Sequence, residues 1–241
     1  MRIGAVITAR STSSRYPRKH LGILGGKPMI VQIIEKLNRL SNLDEVILST
    51  TLKSTDDELV RLSLATGVKV TRGEEYDLLE RDFQTINDHN LDAVLKISGD
   101  CPFVSNELAQ ALIDGLRAEP NPENFDQVGC SVGHPMASGF EATIMLRSGF
   151  EKYERMMLMY PGYSYEQYWV VGKEEPKAIK TLAIDTSHIL VPSITPMKLS
   201  IDWNLERLFF NEIIDWLGYY PEKIEDFNKA YGGMDTLCES K

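Results

Sequence analysis

Two features of this chain have the residue types that anion and metal chemistry requires: a basic loop near its start and two well-separated aspartates. The loop, Ala9-Arg10-Ser11-Thr12-Ser13-Ser14-Arg15-Tyr16-Pro17-Arg18-Lys19, concentrates guanidinium, ammonium and hydroxyl groups. Arg offers a planar fork for bidentate phosphate contact and Lys a point charge. The backbone N–H groups of Ser11 to Ser14 could add an anion nest. A solvated surface loop is the plain alternative. Placement favours function, because the loop follows the apolar stretch Ile3–Thr8, and open α/β sheets bind ligands at the carboxyl ends of their strands. No GxxxxGK[ST] motif is present, since Gly26-Lys27 is followed by Pro28, and no GxGxxG follows the first strand.

Asp100 and Asp202 each end an apolar stretch, Asp92–Ser98 and Lys198–Ile201. Strands that lie near each other would bring both carboxylates to one rim. Such an oxygen-only pair suits Mg²⁺, which keeps several waters and bridges protein to nucleotide phosphates. Each aspartate taken alone fits a cap or turn role equally well. Glu141 and Thr143 point to one face by period-two alternation and are candidate contacts to a sugar or other acceptor, with packing at the core edge the alternative for Thr143. His20, His89, His134 and His188 show no metal spacing, and Cys101 lacks a flanking histidine, so these read as ordinary core or surface residues.

The elements that must position these groups follow an alternating pattern. Strands are expected at 3–8, 45–50, 68–70 and 92–98, with helices between them. Met29, Ile30, Ile33, Ile34, Leu37 and Leu40 share one face of the first helix, which Pro28 opens, while Lys36 falls on the other face. Thr55 and Glu58 have capping-box spacing for a helix over 56–66 that ends at Gly67. Arg72-Gly73 belongs to a loop before a helix at 78–89, and Ser105 caps a helix from Asn106 to Arg117. Residues 118–126 read as a linker. Beyond it, strands are expected at 127–132, 139–146, 178–184 and 198–204. The last leads into a helix with Leu205, Leu208, Phe209, Ile213 and Trp216 inward. Residues 160–176 read as a mobile aromatic segment or a dimer contact, and the Met156–Trp169 stretch fits a second small core about as well. The order describes an α/β fold with a mostly parallel sheet in three layers and a small C-terminal extension. Residues 1–118 are expected to form a nucleotide-binding half, and 127–241 a sugar- or acceptor-binding half of the same domain that is also a candidate for dimerisation.

With 241 residues, 43% hydrophobic and 25% charged, the chain can build a sizeable core. A net charge of −9 argues against a nucleic-acid polymer and for a compact anionic ligand at the basic loop. Three cysteines without a CxxC pair point to neither a disulfide framework nor a zinc ribbon. No run is long enough to span a membrane and no signal peptide is recognisable, so a cytoplasmic location is expected.

Taken together, Ala9-Arg10, Ser14-Arg15-Tyr16-Pro17-Arg18-Lys19-His20-Leu21, Gly26-Lys27-Pro28-Met29, Arg72-Gly73, Ser98-Gly99-Asp100-Cys101-Pro102 and Ile201-Asp202 resemble cytidylyltransferases of the spore coat polysaccharide biosynthesis protein F type. These are relatives of the acylneuraminate and 3-deoxy-manno-octulosonate cytidylyltransferases. The resemblance implies a nucleotide-diphospho-sugar transferase fold and Mg²⁺-dependent transfer of CMP from CTP to an acidic or phosphorylated sugar, with release of pyrophosphate. It places Ala9, Arg10, Ser14, Arg15, Lys19, Arg72 and Gly99 at the nucleotide and Asp100 and Asp202 at the metal. Arg10, Lys19 and Asp100 become the catalytic candidates. Three departures stand out. The chain has Tyr16-Pro17-Arg18-Lys19 where relatives carry Leu-Pro-Gly-Lys, it has Gly139-Phe140-Glu141-Ala142-Thr143 where they carry Gly-Leu-Asp-x-Glu, and it lacks an Arg-Glu-His signature near Tyr163–Tyr168. A glycosyltransferase using a nucleotide sugar is one rival, although Asp100-Cys101-Pro102 lacks the second aspartate of an Asp-x-Asp. A noncatalytic nucleotide-binding module is the other.

Overall fold

The computed structural model describes residues 1–130, 139–187, 189 and 198–230. Its centre is β1 (Ile3–Thr8), whose six residues are almost entirely buried. β1 pairs in parallel with β4 (Glu45–Thr51) on one side and β6 (Ala93–Ser98) on the other, in registers that align Thr8 with both Ser49 and Ser98. The loops leaving β1 and β6 therefore start side by side. β5 (Lys69–Gly73) extends the parallel set beyond β4. Past β6 come β8 (Thr143–Leu146), antiparallel to it, then β7 (Gln127–Cys130) and β9 (Thr181–Ile184), giving the order β5-β4-β1-β6-β8-β7-β9. A two-stranded hairpin, β2 (Ile23–Leu24) and β3 (Lys27–Pro28), stands apart from the sheet.

Strand alternation sends side chains into two cores. Ile3, Ala5 and Ile7 of β1 and Leu95 and Ile97 of β6 pack on the face covered by α1 (Met29–Leu37), α4 (Asn106–Ala118) and α6 (Asn204–Leu217). Val6, Ile47 and Val94 face α3 (Leu78–His89) and α5 (Arg147–Met159). This is the expected three-layer α/β arrangement, and the strands after the 118–126 stretch join the same sheet as those before it. α2 (Asp57–Ala65) packs beside α1 and β5. Among the described residues no helix is long and apolar enough to cross a membrane.

Several local expectations are corrected. Pro28 is the residue before α1, not its first residue, and Lys36 is 1% exposed, on the buried side of the helix. Thr55 forms no capping box, because Ser54–Asp56 makes a 3-10 turn that carries the Asp56 side chain inward. Arg72 and Gly73 lie on β5, paired with Thr50 and Thr51. The strand expected from residue 139 begins at Thr143, so Glu141 precedes it, and its carboxylate turns back to accept the Gly139 and Phe140 N–H groups. Asp202 does not end a strand. Glu206 accepts the N–H groups of Asp202 (2.6 Å) and Trp203 (3.0 Å), which turns the chain into α6. On α6 the buried residues are Phe210, Ile213 and Ile214, whereas Leu205, Leu208, Phe209 and Trp216 are exposed. The helix carries two apolar stripes, and the one that packs Phe210 at a tilt against Phe103 (4.8 Å between centroids) is the core stripe. Residues 160–176 hold a 3-10 helix, Tyr165–Lys173, which gives Tyr168 and Val171 to the second core. The expected strand residues 131 and 132, and His134 and His188, lie outside the described residues.

Candidate active site

The loop after β1 is folded by groups outside the basic set. Asp56, fully buried, accepts the Ser11 N–H at 2.6 Å as well as the Thr50 hydroxyl and the Thr51 N–H. The Ser11 N–H is thus spent internally and is not part of an anion nest. Arg18 takes a left-handed conformation (φ 58°), from which its N–H reaches the Ser11 carbonyl at 2.9 Å and its carbonyl accepts the Leu21 N–H. The turn directs Lys19 into the protein, with its side chain 7% exposed.

β6 delivers Gly99 to the same rim. The Gly99 N–H donates to the Thr8 carbonyl at 2.9 Å. A Cβ here would lie 2.7 Å from the Ala9 Cβ and 3.0 Å from His20 Cε1, so the close approach of the two loops requires glycine. His20 Nδ1 pairs with the Gly99 carbonyl at 2.8 Å. Burial, helped by the Lys19 charge, lowers the imidazole pKa to about 4 and keeps it neutral. His20 is a core residue bridging the loops, as expected of an isolated histidine.

The charged cluster sits on this frame. Lys19 Nζ lies 2.7 Å from Asp100 Oδ2 and 3.3 Å from Asp202 Oδ1, and Arg15 Nη2 lies 2.7 Å from the same Asp202 oxygen. The aspartates are seated together by a backbone bond, the Ile201 N–H donating to the Asp100 carbonyl at 2.7 Å. Lys198 Nζ adds a contact to Asp202 Oδ2 at 3.0 Å. Burial alone would raise both carboxyl pKa values; the Lys19 ammonium together with the Ser98 bond for Asp100, and Lys198 together with Lys19 for Asp202, leave both below the usual range and ionised. Cys101 Sγ lies 3.5 Å from Asp100 Oδ1, and burial and that carboxylate push its thiol pKa up, so it is no nucleophile.

Arg10 stands apart from this cluster, on the other flank of the loop. Its guanidinium donates to the Glu75 carbonyl (3.3 Å), lies 2.7 Å from Glu166 Oε1 and stacks over Tyr76. Arg72 donates to the Thr51 and Lys53 carbonyls (2.8 and 2.7 Å) and to Asp57, tying β5 to the turn before α2. Ser14 is exposed and Ala9 is buried. Glu141, Thr143, Ser98 and Cys101 line a cavity of about 430 Å³ that opens beside Asp100. Sequence reasoning missed Asp56, Lys198, Glu75 and Glu166. For Lys198 a signal existed in its spacing of four from Asp202, whereas the others reach the site only through tertiary contacts.

Among the described residues no group of three or more His, Cys, Asp or Glu side chains is placed to hold a metal. The Asp100–Asp202 pair nevertheless fits a hard divalent cation. Both groups are ionised, each directs an oxygen to one point where a positive charge already sits, and Mg²⁺ sites need only one or two carboxylates when substrate phosphates complete the shell.

A family model described as cytidylyltransferase matches residues 5–204. An uncharacterised protein of Methanocaldococcus jannaschii is 28% identical over 237 residues, covering 92% of this chain and 93% of its own length. A 3-deoxy-manno-octulosonate cytidylyltransferase of Pelobacter propionicus is 34% identical over 124 residues, 50% of this chain and 47% of that protein, so this match spans about half of each. Among solved structures, a cytidylyltransferase from Leptospira borgpetersenii superposes with a TM-score of 0.82 at 20% identity, over 98% of this chain and 96% of its own, a likeness of fold.

Proposed function

The chain belongs to the cytidylyltransferase family, and we propose that it transfers CMP from CTP to a sugar bearing an acidic or phosphate group, releasing pyrophosphate. The observation that carries this reading is the convergence of Lys19, Arg15, Asp100 and Asp202 on one rim of the parallel sheet. In the reaction an acceptor oxygen forms a bond to the α-phosphorus of CTP while the bond to the bridging oxygen of the β-phosphate breaks. The electron pair leaves on pyrophosphate, and the acceptor's proton, if it carries one, passes to solvent.

Arg15, Arg10 and Lys19 bind and orient the phosphates and offset charge growing on the leaving group, a preorganised electrostatic role. The frame of Asp56, Gly99 and His20 fixes the backbone of the loop that carries them. Asp100 and Asp202 would hold Mg²⁺, which supplies neutralisation of phosphate charge and polarisation of the phosphorus centre. The cavity beside Asp100 is the acceptor's place, with Glu141 and Thr143 at its wall.

The reading is tested by measuring pyrophosphate release with each of the four NTPs against acidic and phosphorylated sugars. CTP-dependent release with at least one acceptor is expected. A glycosyltransferase would stay silent until given a nucleotide sugar, and a binding module would stay silent throughout.

A further inference from the structure

Arg10, which makes no contact with the Asp100–Asp202 cluster among those described, is held by two acids of different character. Glu75 has a 6% exposed side chain and also takes the Thr12 hydroxyl and the Lys53 ammonium. It is fixed whatever Arg10 does. Glu166 has a 38% exposed side chain, and Arg10 at 2.7 Å is its ion-pair partner. A phosphate that claims this guanidinium must therefore displace Glu166 rather than Glu75.

Glu166 sits on the 3-10 helix Tyr165–Lys173, which borders the acceptor cavity through Tyr168 and Trp169. Tyr168 is anchored. It is fully buried, its hydroxyl donates to Asp82 at 2.9 Å and accepts from Lys96 at 2.5 Å, and its ring meets Tyr153 edge-on at 5.4 Å. Between Glu166 and Tyr168 the helical conformation is broken at Gln167 (φ −134°, ψ 43°). The break separates the turn that carries Glu166 from the turn that anchors Tyr168.

We propose that Glu166 is a positioning residue that competes with the outer phosphates of the nucleotide for Arg10, so that nucleotide binding frees the Glu166 end of the segment bordering the acceptor cavity. The proposal rests on the cytidylyltransferase reading above. An exposed carboxylate–guanidinium pair is a weak hold, whereas a phosphate can engage the same fork with two charge-assisted bonds. The exchange is thus downhill once nucleotide arrives. Because the pair and the phosphates compete for Arg10, removing the pair tightens nucleotide binding, and the gain is bounded by the pair's own small stability.

The experiment is a calorimetric titration of CTP and of CMP into the wild-type protein and into Glu166→Gln and Glu174→Gln, with thermal melts confirming that each variant is folded. Glu174, on the same stretch, bonds the Tyr163 hydroxyl and serves as the charge control. Glu166→Gln is expected to bind CTP about two- to fivefold more tightly, the range an exposed ion pair allows. CMP affinity should stay unchanged, because CMP lacks the outer phosphates, and Glu174→Gln should match wild type with both ligands. Unchanged or weaker CTP binding by Glu166→Gln overturns the inference. Equal gains for CMP, or for Glu174→Gln, also overturn it, since they would mark a general charge effect. Absence of CTP binding by the wild type overturns the cytidylyltransferase reading itself, and the inference with it.

Discussion

Ile201 donates its backbone N–H to the carbonyl oxygen of Asp100 at 2.7 Å, and this bond seats Asp202 beside Asp100. Neither carboxylate depends on a flexible side-chain contact to find the other. The chain reaches the rim after the sheet is complete, and Glu206 turns it at once into α6. Both acids then meet the single ammonium of Lys19.

Replacing that ammonium should hurt activity and stability in separable ways. Lys19→Met takes from Asp100 and Asp202 the ammonium that both contact and removes a proposed phosphate ligand. Turnover is expected to fall by about 100-fold or more. Thermal stability at pH 7 should also fall, and added Mg²⁺ should raise the melting temperature of the variant more than that of wild type. Melting curves with and without Mg²⁺ check this, and an equal Mg²⁺ response in both proteins would show that Lys19 and the cation do not share a site.

Asp56 should prove a stability residue with an activity cost. Burial raises its carboxyl pKa, but bonds from Thr51, Ser11 and Thr50 outweigh burial and hold it below the ordinary value. A carboxyl depressed in the folded state contributes stability that is present above its unfolded pKa and is lost as pH falls through the folded one. Asp56→Ala is expected to cost about 3 kcal/mol near neutral pH, because several buried donors lose their acceptor. The difference from wild type should shrink below the usual carboxylate range. Denaturant melts at pH 7 and pH 3 measure it.

Lys36 makes the opposite prediction. Its ammonium is buried with no hydrogen-bond partner among the described residues, and burial lowers its pKa from 10.5 to about 8. Between those two values the unfolded chain binds the proton and the folded one does not, so this group's contribution makes stability rise with pH through that window. Lys36→Met should stabilise the protein at pH 7 by about 3 kcal/mol and abolish that rise. Urea melts from pH 7 to 10.5 decide it.

Arg18, in the left-handed region at φ 58°, tests the departure from the Leu-Pro-Gly-Lys pattern. Arg18→Gly should be neutral within about 1 kcal/mol, relieved backbone strain offsetting the lost contact to Glu58. Arg18→Val should cost about 1–2 kcal/mol, since a β-branched residue tolerates that conformation poorly. Chemical denaturation of both variants is the check.

The strands of the parallel core were legible because Ile3–Thr8, Glu45–Thr51 and Ala93–Ser98 are short segments dense in β-branched and other apolar residues and bounded by turn residues. The basic loop and Asp100 followed, since both leave such strands. Asp202 was found for a partly mistaken reason: its seat is a backbone bond to Asp100 and the turn into α6, not the end of a strand. The phase of α6 was misread because the helix has two apolar stripes and periodicity alone does not say which is covered. Asp56, Glu75 and Glu166 were invisible, because acids distant in sequence reveal no partner until the fold brings them to Ser11 and Arg10.

The proposed reaction requires Asp100 and Asp202 to act together at the phosphates of CTP. The most direct measurement is pyrophosphate release from CTP, in the presence of Mg²⁺ and an acceptor that the wild type uses, by Asp100→Asn and Asp202→Asn proteins whose circular dichroism matches wild type. Each substitution is expected to lower kcat/KM by about 100-fold or more, the scale of losing one preorganised electrostatic partner. Near-wild-type release by both folded variants would rule out their joint role at the phosphates.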